Sequence, residues 1–303
     1  MNILFLGTGG SWPSKDYNVP AIAVKLGSEI LLFECGEGTQ RQFMQSKFSF
    51  MQVSKIFISH YHGDHFLGLS GLIQSMNLND RKADLEIYGP MGTVKIVGTL
   101  LSLGYFAPGF KIILHEMKDS ETIEFDNYDV SAFSVDHDVP TLGFVLEEHE
   151  RPGRFSLKKA RELGIPEGPL YRQLQGGKSV RVNGKTIKPE MVVGRSRPGR
   201  KLVYSGDTRP SKTVIKYAKG ADVLIHDGCL DRSLTKKAEQ YGHSTAAQAA
   251  EIAKSAKVKK LFLIHHSPRY KDLTILEDEA KSVFKNSVAA TDFMEYQVKF
   301  SKK

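Results

Sequence analysis

Apolar residues in the first half of the chain fall into short runs separated by Gly, Pro, Asn and Asp. Runs of about four to eight such residues, bounded by turn formers, read as strands. On that basis residues 2–6, 21–26, 30–33, 53–59, 85–88, 111–116, 122–125, 130–135 and 142–147 are expected strands. Apolar positions spaced three and four apart predict helices over 39–45, 66–76 and 93–103. The second half keeps the rhythm, with strands over 202–205, 223–226 and 261–265 and helices over 211–218, 245–255 and 276–284. Thr245 and Gln248 make a T-x-x-Q capping box at the start of the middle helix. Two β-rich halves with helices between strands imply an α/β fold, a two-sheet core sheathed by helices.

Between the halves the pattern lapses. Residues 151–199 hold 8 Gly and 5 of the 12 Pro, with one short helical stretch at 157–163 and little apolar periodicity. A loop this long within one domain is usually functional or disordered. We read 151–199 as an arm inserted into a single domain spanning 1–303. The charge singles out the same segment. The chain has 42 Lys+Arg against 34 Asp+Glu, a net +8. Between Arg151 and Lys201 there are 14 Lys/Arg and 3 Asp/Glu, so this stretch carries +11 and the rest sums to −3. A polyanionic partner would meet the chain there.

No run approaches the roughly 18 apolar residues of a membrane span. The start lacks the basic and apolar pattern of a secretion signal. Two cysteines, Cys35 and Cys229, cannot staple a domain of this size, so the reducing cytoplasm is the expected compartment.

The densest chemistry is Ser59-His60-Tyr61-His62-Gly63-Asp64-His65, straight after an expected strand. A lone histidine at a strand end is usually an ordinary polar residue. Four donors in H-x-H-x-D-H spacing supply nitrogen and oxygen ligands together, as zinc sites do. One loop cannot complete two sites. His137, Asp207 and His265 each follow a β-rich run and can reach the same sheet edge. Cys35 and Cys229 fit no metal spacing and read as buried thiols. Trp12 reads as packing, His115 and His149 as surface residues, and His266 as facing away from its neighbour His265.

This ligand order, H-x-H-x-D-H, a lone His, Gly206-Asp207-Thr208 and a strand-terminal His, resembles the metallo-β-lactamase superfamily. Within it the chain resembles the ribonuclease Z family almost end to end. The match includes Gly7-Thr8-Gly9-Gly10 with Pro13-x-Lys15 and Asn18, His243-Ser244-Thr245, and the closing His265-His266-Ser267-Pro268-Arg269-Tyr270. In the arm, the stretch from Gly164 through Gly168-Pro169 to Tyr171 resembles the family's Gly-Pro substrate element.

The resemblance implies an αββα sandwich of two mixed sheets flanked by helices, with a protruding arm. It implies two Zn²⁺ per subunit, one on His60, His62 and His137 and the other on Asp64, His65 and His265, with Asp207 bridging. Asp64 would also accept a proton from the attacking water, and His243 would be the general acid. The implied substrate is precursor tRNA, cut at its 3′ trailer by a homodimer. Expected RNA contacts are Lys15, Ser267, Arg269 and, in the arm, Arg154, Lys158, Lys159, Gly168, Pro169, Arg172 and Lys178.

Two positions depart from the family's pattern. Asp227 stands where a glutamate orients the histidine, one methylene shorter, so its contact with His243 requires backbone adjustment or another partner. Tyr17 replaces an arginine in the loop tied to handling of the CCA end. Rival readings are a hydrolase of a small phosphodiester, thioester or lactone, and a non-hydrolytic RNA-binding protein with structural zinc. The basic arm argues against the first, and a full ligand set with a separate proton donor argues against the second.

Overall fold

In the first strand, β1 (Asn2–Gly7), alternate side chains serve two cores: Ile3 and Phe5 face a second sheet, and Leu4 and Leu6 face helices. This alternation recurs through the computed structural model, which describes residues 1–105 and 107–300. β2 (Ala21–Leu26), β3 (Glu29–Phe33), β4 (Val53–Phe57), β5 (Leu85–Gly89) and β6 (Ile112–Glu116) follow β1. β7 (Thr122–Glu124), β8 (Tyr128–Ser134) and β9 (Leu142–Glu148) begin the second sheet. A hairpin, β10 (Val180–Val182) and β11 (Lys185–Ile187), lies in the arm. The chain continues through β12 (Lys201–Tyr204), β13 (Val223–Asp227), β14 (Leu261–Ile264), β15 (Ser287–Ala289) and β16 (Glu295–Gln297).

The first sheet has the order β16-β1-β2-β3-β4-β5-β6 and the second β15-β14-β13-β12-β9-β8-β7. Each is antiparallel at one side and parallel at the other. Phe33, Phe57 and Tyr88 of the first meet Phe144, Tyr204 and Phe262 of the second in one buried aromatic layer. Helices Thr39–Gln45, Leu69–Leu78 and Thr93–Leu101 cover one outer face, and Lys212–Ala218, Ala246–Ala256 and Thr274–Val283 cover the other. The αββα sandwich is therefore as expected. No described helix is long and apolar enough to cross a membrane.

Local chemistry sets the boundaries. The capping box at Thr245 and Gln248 is formed in both directions. The helix expected over 66–76 is two pieces, Gly63–Phe66 and Leu69–Leu78. They break at Gly68, where any Cβ would lie 2.0 Å from the Gly36 carbonyl oxygen. The strand expected over 53–59 stops at Phe57, which frees Ser59 and His60 for the site.

The arm corrects the expectation of one helix and little apolar order. It contains helices Leu157–Glu162 and Pro169–Gln175, the β10–β11 hairpin, and a small core of Ala160, Ile165, Leu174, Val180, Ile187 and Val192. Pro169 occupies the first turn of its helix, where its missing N–H is no loss. Asn183 and Gly184 both have positive φ, the two-residue turn that suits a tight hairpin. Bridges between Arg151 and Arg197 and between Phe155 and Val193 close the base.

Candidate metal centre

The chemically active side chains leave the C-terminal ends of strands on one rim, as is general for open α/β sheets. His60, His62, Asp64 and His65 follow β4; His137 follows β8, Asp207 follows β12, and His265 follows β14 with a left-handed φ of 61°. His62 caps the short helix Gly63–Phe66, which carries Asp64 and His65 in one turn.

Two triads form. The His60 Nε2 lies 3.0 Å from the His62 Nδ1, which lies 3.3 Å from the His137 Nε2. The His137 Nδ1 donates to the Gly242 carbonyl at 2.8 Å, which turns its Nε2 toward His62. In the second triad the Asp64 Oδ2 lies 3.2 Å from the His265 Nε2 and 3.6 Å from the His65 Nε2. The Asp207 Oδ2 sits between them, 3.1 Å from His265, 3.3 Å from His65 and 3.8 Å from His60. Zinc bonds of about 2.0–2.1 Å put tetrahedral ligand atoms roughly 3.3–3.4 Å apart, so these spacings fit. The buried His65 ring nitrogens and the Asp207 Oδ1 lack hydrogen-bond partners. Such orphaned polar atoms are costly, and a cation could take the His65 Nε2 and the Asp207 Oδ1. The seven side chains fit a pair of cations.

The electrostatics agree. Burial holds the His60 pKa well below its usual value, in its neutral ligating form. Burial opposes charge on His65, but Asp207, Asp64 and Glu34 raise its pKa well above normal: this point of the cluster attracts positive charge. Burial would raise Asp207, yet His265 and His65 hold its carboxyl well below the usual range.

Beside the triads, the His243 Nδ1 donates to the Asp227 Oδ2 at 2.9 Å. The shorter aspartate therefore reaches the ring directly. Asp227 is fully buried and also accepts from the backbone N–H groups of Thr208, Ser244 and Cys229. Burial disfavours a charged His243, but Asp227 outweighs it and raises the pKa to about 9. Cations in the triads would bring that value down. The contact through Nδ1 leaves Nε2 to exchange a proton in the cleft.

That cleft, about 500 Å³, is lined by His62, His137, His243, Trp12, Ser267 and Arg269 among others. Trp12, expected as packing, is 60% exposed at its mouth. Lys15 lies apart, lining an adjacent cavity. Arg154, Lys158, Lys159, Gly168, Pro169, Arg172 and Lys178 are exposed on the arm, and none lines the cleft. Cys229 has its sulfur within 4.8 Å of ring nitrogens of His243 and His265, but burial raises its thiol pKa well above normal and keeps it protonated. His266 faces the other way and bonds the Ala290 carbonyl through Nε2.

Three supporting residues escaped the sequence reading. Glu34, fully buried with φ of 62°, accepts from the Ser59 N–H and lies 3.4 Å from the His65 Nδ1. Arg209 ties the His137 loop by bonds to Asp136, Asp138 and the Glu239 carbonyl. Asp292 is considered below. An acid ending an apolar strand was the one signal available for Glu34. Replacing Glu34 with Ala removes the carboxylate beside the His65 Nδ1, and should weaken metal affinity about 10–100-fold. Metal titration of the purified variant checks this; parental affinity would show that Glu34 is not needed to aim the ring.

A two-sheet sandwich carrying this ligand cluster on one rim defines a metallo-β-lactamase-fold protein, and similarity to known proteins agrees. The profile of the Beta-lactamase superfamily domain matches residues 182–266, and that of Anti-Pycsar protein Apyc1 matches residues 1–149. The chain is 47% identical to Ribonuclease Z of Archaeoglobus fulgidus over 300 residues, 98% of each chain. It is 48% identical to Ribonuclease Z of Methanosarcina mazei over 302 residues, 99% of each. The crystal structure of human tRNase Z, short form, superposes with a TM-score of 0.73 at 28% identity, covering 99% of this chain and all of that one. The chain belongs to the ribonuclease Z family.

Proposed function

We propose that the chain is a zinc-dependent endoribonuclease that removes the 3′ trailer from precursor tRNA, leaving a 3′-hydroxyl on the tRNA. The observation that carries this reading is His243, held from behind by the buried Asp227, in the same cleft as the ligands His62 and His137. One zinc would be held by His60, His62 and His137, the other by Asp64, His65 and His265, with Asp207 shared. Bound there, the two cations supply Lewis acidity toward the scissile phosphate and make the attacking water a stronger nucleophile.

The side chains do the rest. Asp64 is fixed by the Ser11 N–H at 2.7 Å, and its carboxylate orients the water and accepts its proton. As water oxygen bonds to phosphorus, the bond from phosphorus to the 3′-oxygen breaks. His243, held by Asp227, gives the proton to that leaving oxygen. Ser267 and Arg269, joined at 3.0 Å on the cleft wall, face the RNA strand. The arm's exposed cations grip the RNA beyond the cleft, meeting its backbone rather than its base edges. The family resemblance supports a homodimer, one subunit's arm serving RNA cut by the other, and the arm's place outside the cleft of its own chain is compatible with that. Two buried, unpaired cysteines suit the cytoplasm.

Two assays test this reading. Elemental analysis should find two metals per chain, and chelation should remove them and the activity together. One tightly held metal with full activity contradicts the paired centre. Comparing precursor tRNA with a small cyclic phosphodiester on one preparation should give a much higher kcat/KM for the RNA. The reverse preference would make the chain a small-substrate hydrolase.

A further inference from the structure

The glycine-rich segment 8–18 leaves β1, turns back on itself and re-enters before β2. Its apex touches the metal centre. Gly10 packs so closely on His265 that a Cβ there would meet the ring at 2.5 Å, and the Ser11 N–H reaches Asp64. Ser11 and Trp12 line the reaction cleft, whereas Ser14, Lys15, Tyr17 and Asn18 line a neighbouring cavity of about 650 Å³ that also holds Arg41 and Lys271. The loop is thus a wall with a different cavity on each face.

The neck of this wall is closed by one side chain from the far end of the sequence. The Asp292 Oδ1 accepts from the Thr8 N–H at 3.0 Å and the Thr8 hydroxyl at 2.8 Å. Its Oδ2 accepts from the Asn18 N–H at 2.7 Å and from the Gln42 Nε2 at 3.0 Å. Gln42 in turn donates to the Leu6 carbonyl at 2.6 Å, tying the neck to helix Thr39–Gln45. Both ends of the loop therefore bond to one carboxylate. The other neck contacts are backbone bonds from Gly9 to Asn18 and between Thr8, Gly10 and His266. Burial raises the Asp292 pKa to about 6, while the bonds from Asn18, Thr8 and Gln42 pull it the other way. With four donors from two ends of the loop and one helix, this carboxylate fixes their relative positions.

We propose that Asp292 is the positioning residue that locks the 8–18 wall, and so sets which phosphodiester of the RNA strand reaches Asp64 and His265. The second half rests on the function proposed above; the first does not. Trp12 is the only tryptophan in the chain and rides on this loop, so its fluorescence reports the wall alone.

The test compares the parent with Asp292→Asn, Asp292→Ala and Thr8→Val. Asn keeps one acceptor and turns an amide donor toward the other N–H groups; Val removes only the hydroxyl and keeps the shape, covering the case in which Ala fails to fold. Time-resolved Trp12 anisotropy should show added local motion in Asp292→Asn at unchanged far-UV circular dichroism and metal content. Sequencing-gel mapping should show precursor tRNA cut at displaced phosphodiesters, with kcat/KM at the parental site down roughly 10–100-fold, as expected for a small misplacement of the reacting groups. Thr8→Val should move both readouts in the same direction, by less. Unchanged Trp12 motion in every folded variant overturns the lock. A looser loop with an unshifted cut overturns its role in substrate register. A parent that leaves precursor tRNA whole refutes the proposed function instead, and the lock is then decided by Trp12 alone.

Discussion

Replacing His243 with Ala lowers the single-turnover cleavage of precursor tRNA by about 10²–10⁴-fold, the usual worth of a positioned general acid. The expected specificity of this loss follows from the geometry. His243 is not among the seven converging ligands, so metal content should stay at the parental value. Losing the ring takes one donor from the buried Asp227, which keeps its three backbone N–H groups, so the thermal midpoint should fall modestly. Asp227 behaves differently. It is buried and accepts from three backbone N–H groups besides the imidazole. Asp227→Ala leaves those donors unsatisfied, each at a cost of about 1–3 kcal/mol, so its thermal midpoint should drop along with its rate. A precursor with sulfur in place of the leaving 3′-oxygen, on the last tRNA nucleotide before the trailer, needs less protonation and should recover much of the His243→Ala deficit. A parental rate for His243→Ala would assign the residue to the start of helix Ala246–Ala256 instead.

Excising the arm is the second large effect, and it acts on binding. The bridge between Phe155 and Val193 marks where the chain can be rejoined, because the Gly194 N–H already donates to the Arg154 carbonyl at 3.0 Å. Deleting 155–193 with a short glycine link removes Lys158, Lys159, Arg161, Arg172, Lys178, Arg181, Lys185 and Lys188 along with the arm's own core. The main sheets lose nothing, since that core is separate from the three that pack on them. KM for precursor tRNA should rise by at least about 10²-fold, and the steep salt dependence of parental binding should flatten, because each neutralised phosphate releases counterions. Hydrolysis of a small activated phosphodiester should persist. If both activities fall together at full metal content, the arm belongs to the catalytic scaffold.

Much of this was legible in the order of residues. H-x-H-x-D-H after a strand, and donors after three later strands, foretold the rim cluster, because strand ends and polar residues are local features. The arm's fold was less legible. Its glycines and prolines read as an inserted arm with one short helix, yet Asn183-Gly184 between Val182 and Lys185 was a hairpin signal, and Gly168-Pro169 marked a helix start. The short apolar positions that build its core have no periodicity until those turns bring them together. Glu34, Arg209 and Asp292 were illegible for a different reason. Each acts on chain that is distant in sequence, Asp292 on Thr8 across 284 positions, and a single acidic residue near a terminus carries no local sign of that.

A hydrolytic cut that frees the 3′ end of tRNA underlies each of these outcomes. Incubating the zinc-loaded protein with precursor tRNA labelled at its 5′ end, then mapping the cut and its end groups, tests it most directly. The predicted result is one dominant product ending at the junction with the trailer, bearing a 3′-hydroxyl, with a 5′-phosphate on the released trailer. A 2′,3′-cyclic phosphate on the product, or no cut at the junction, would contradict it.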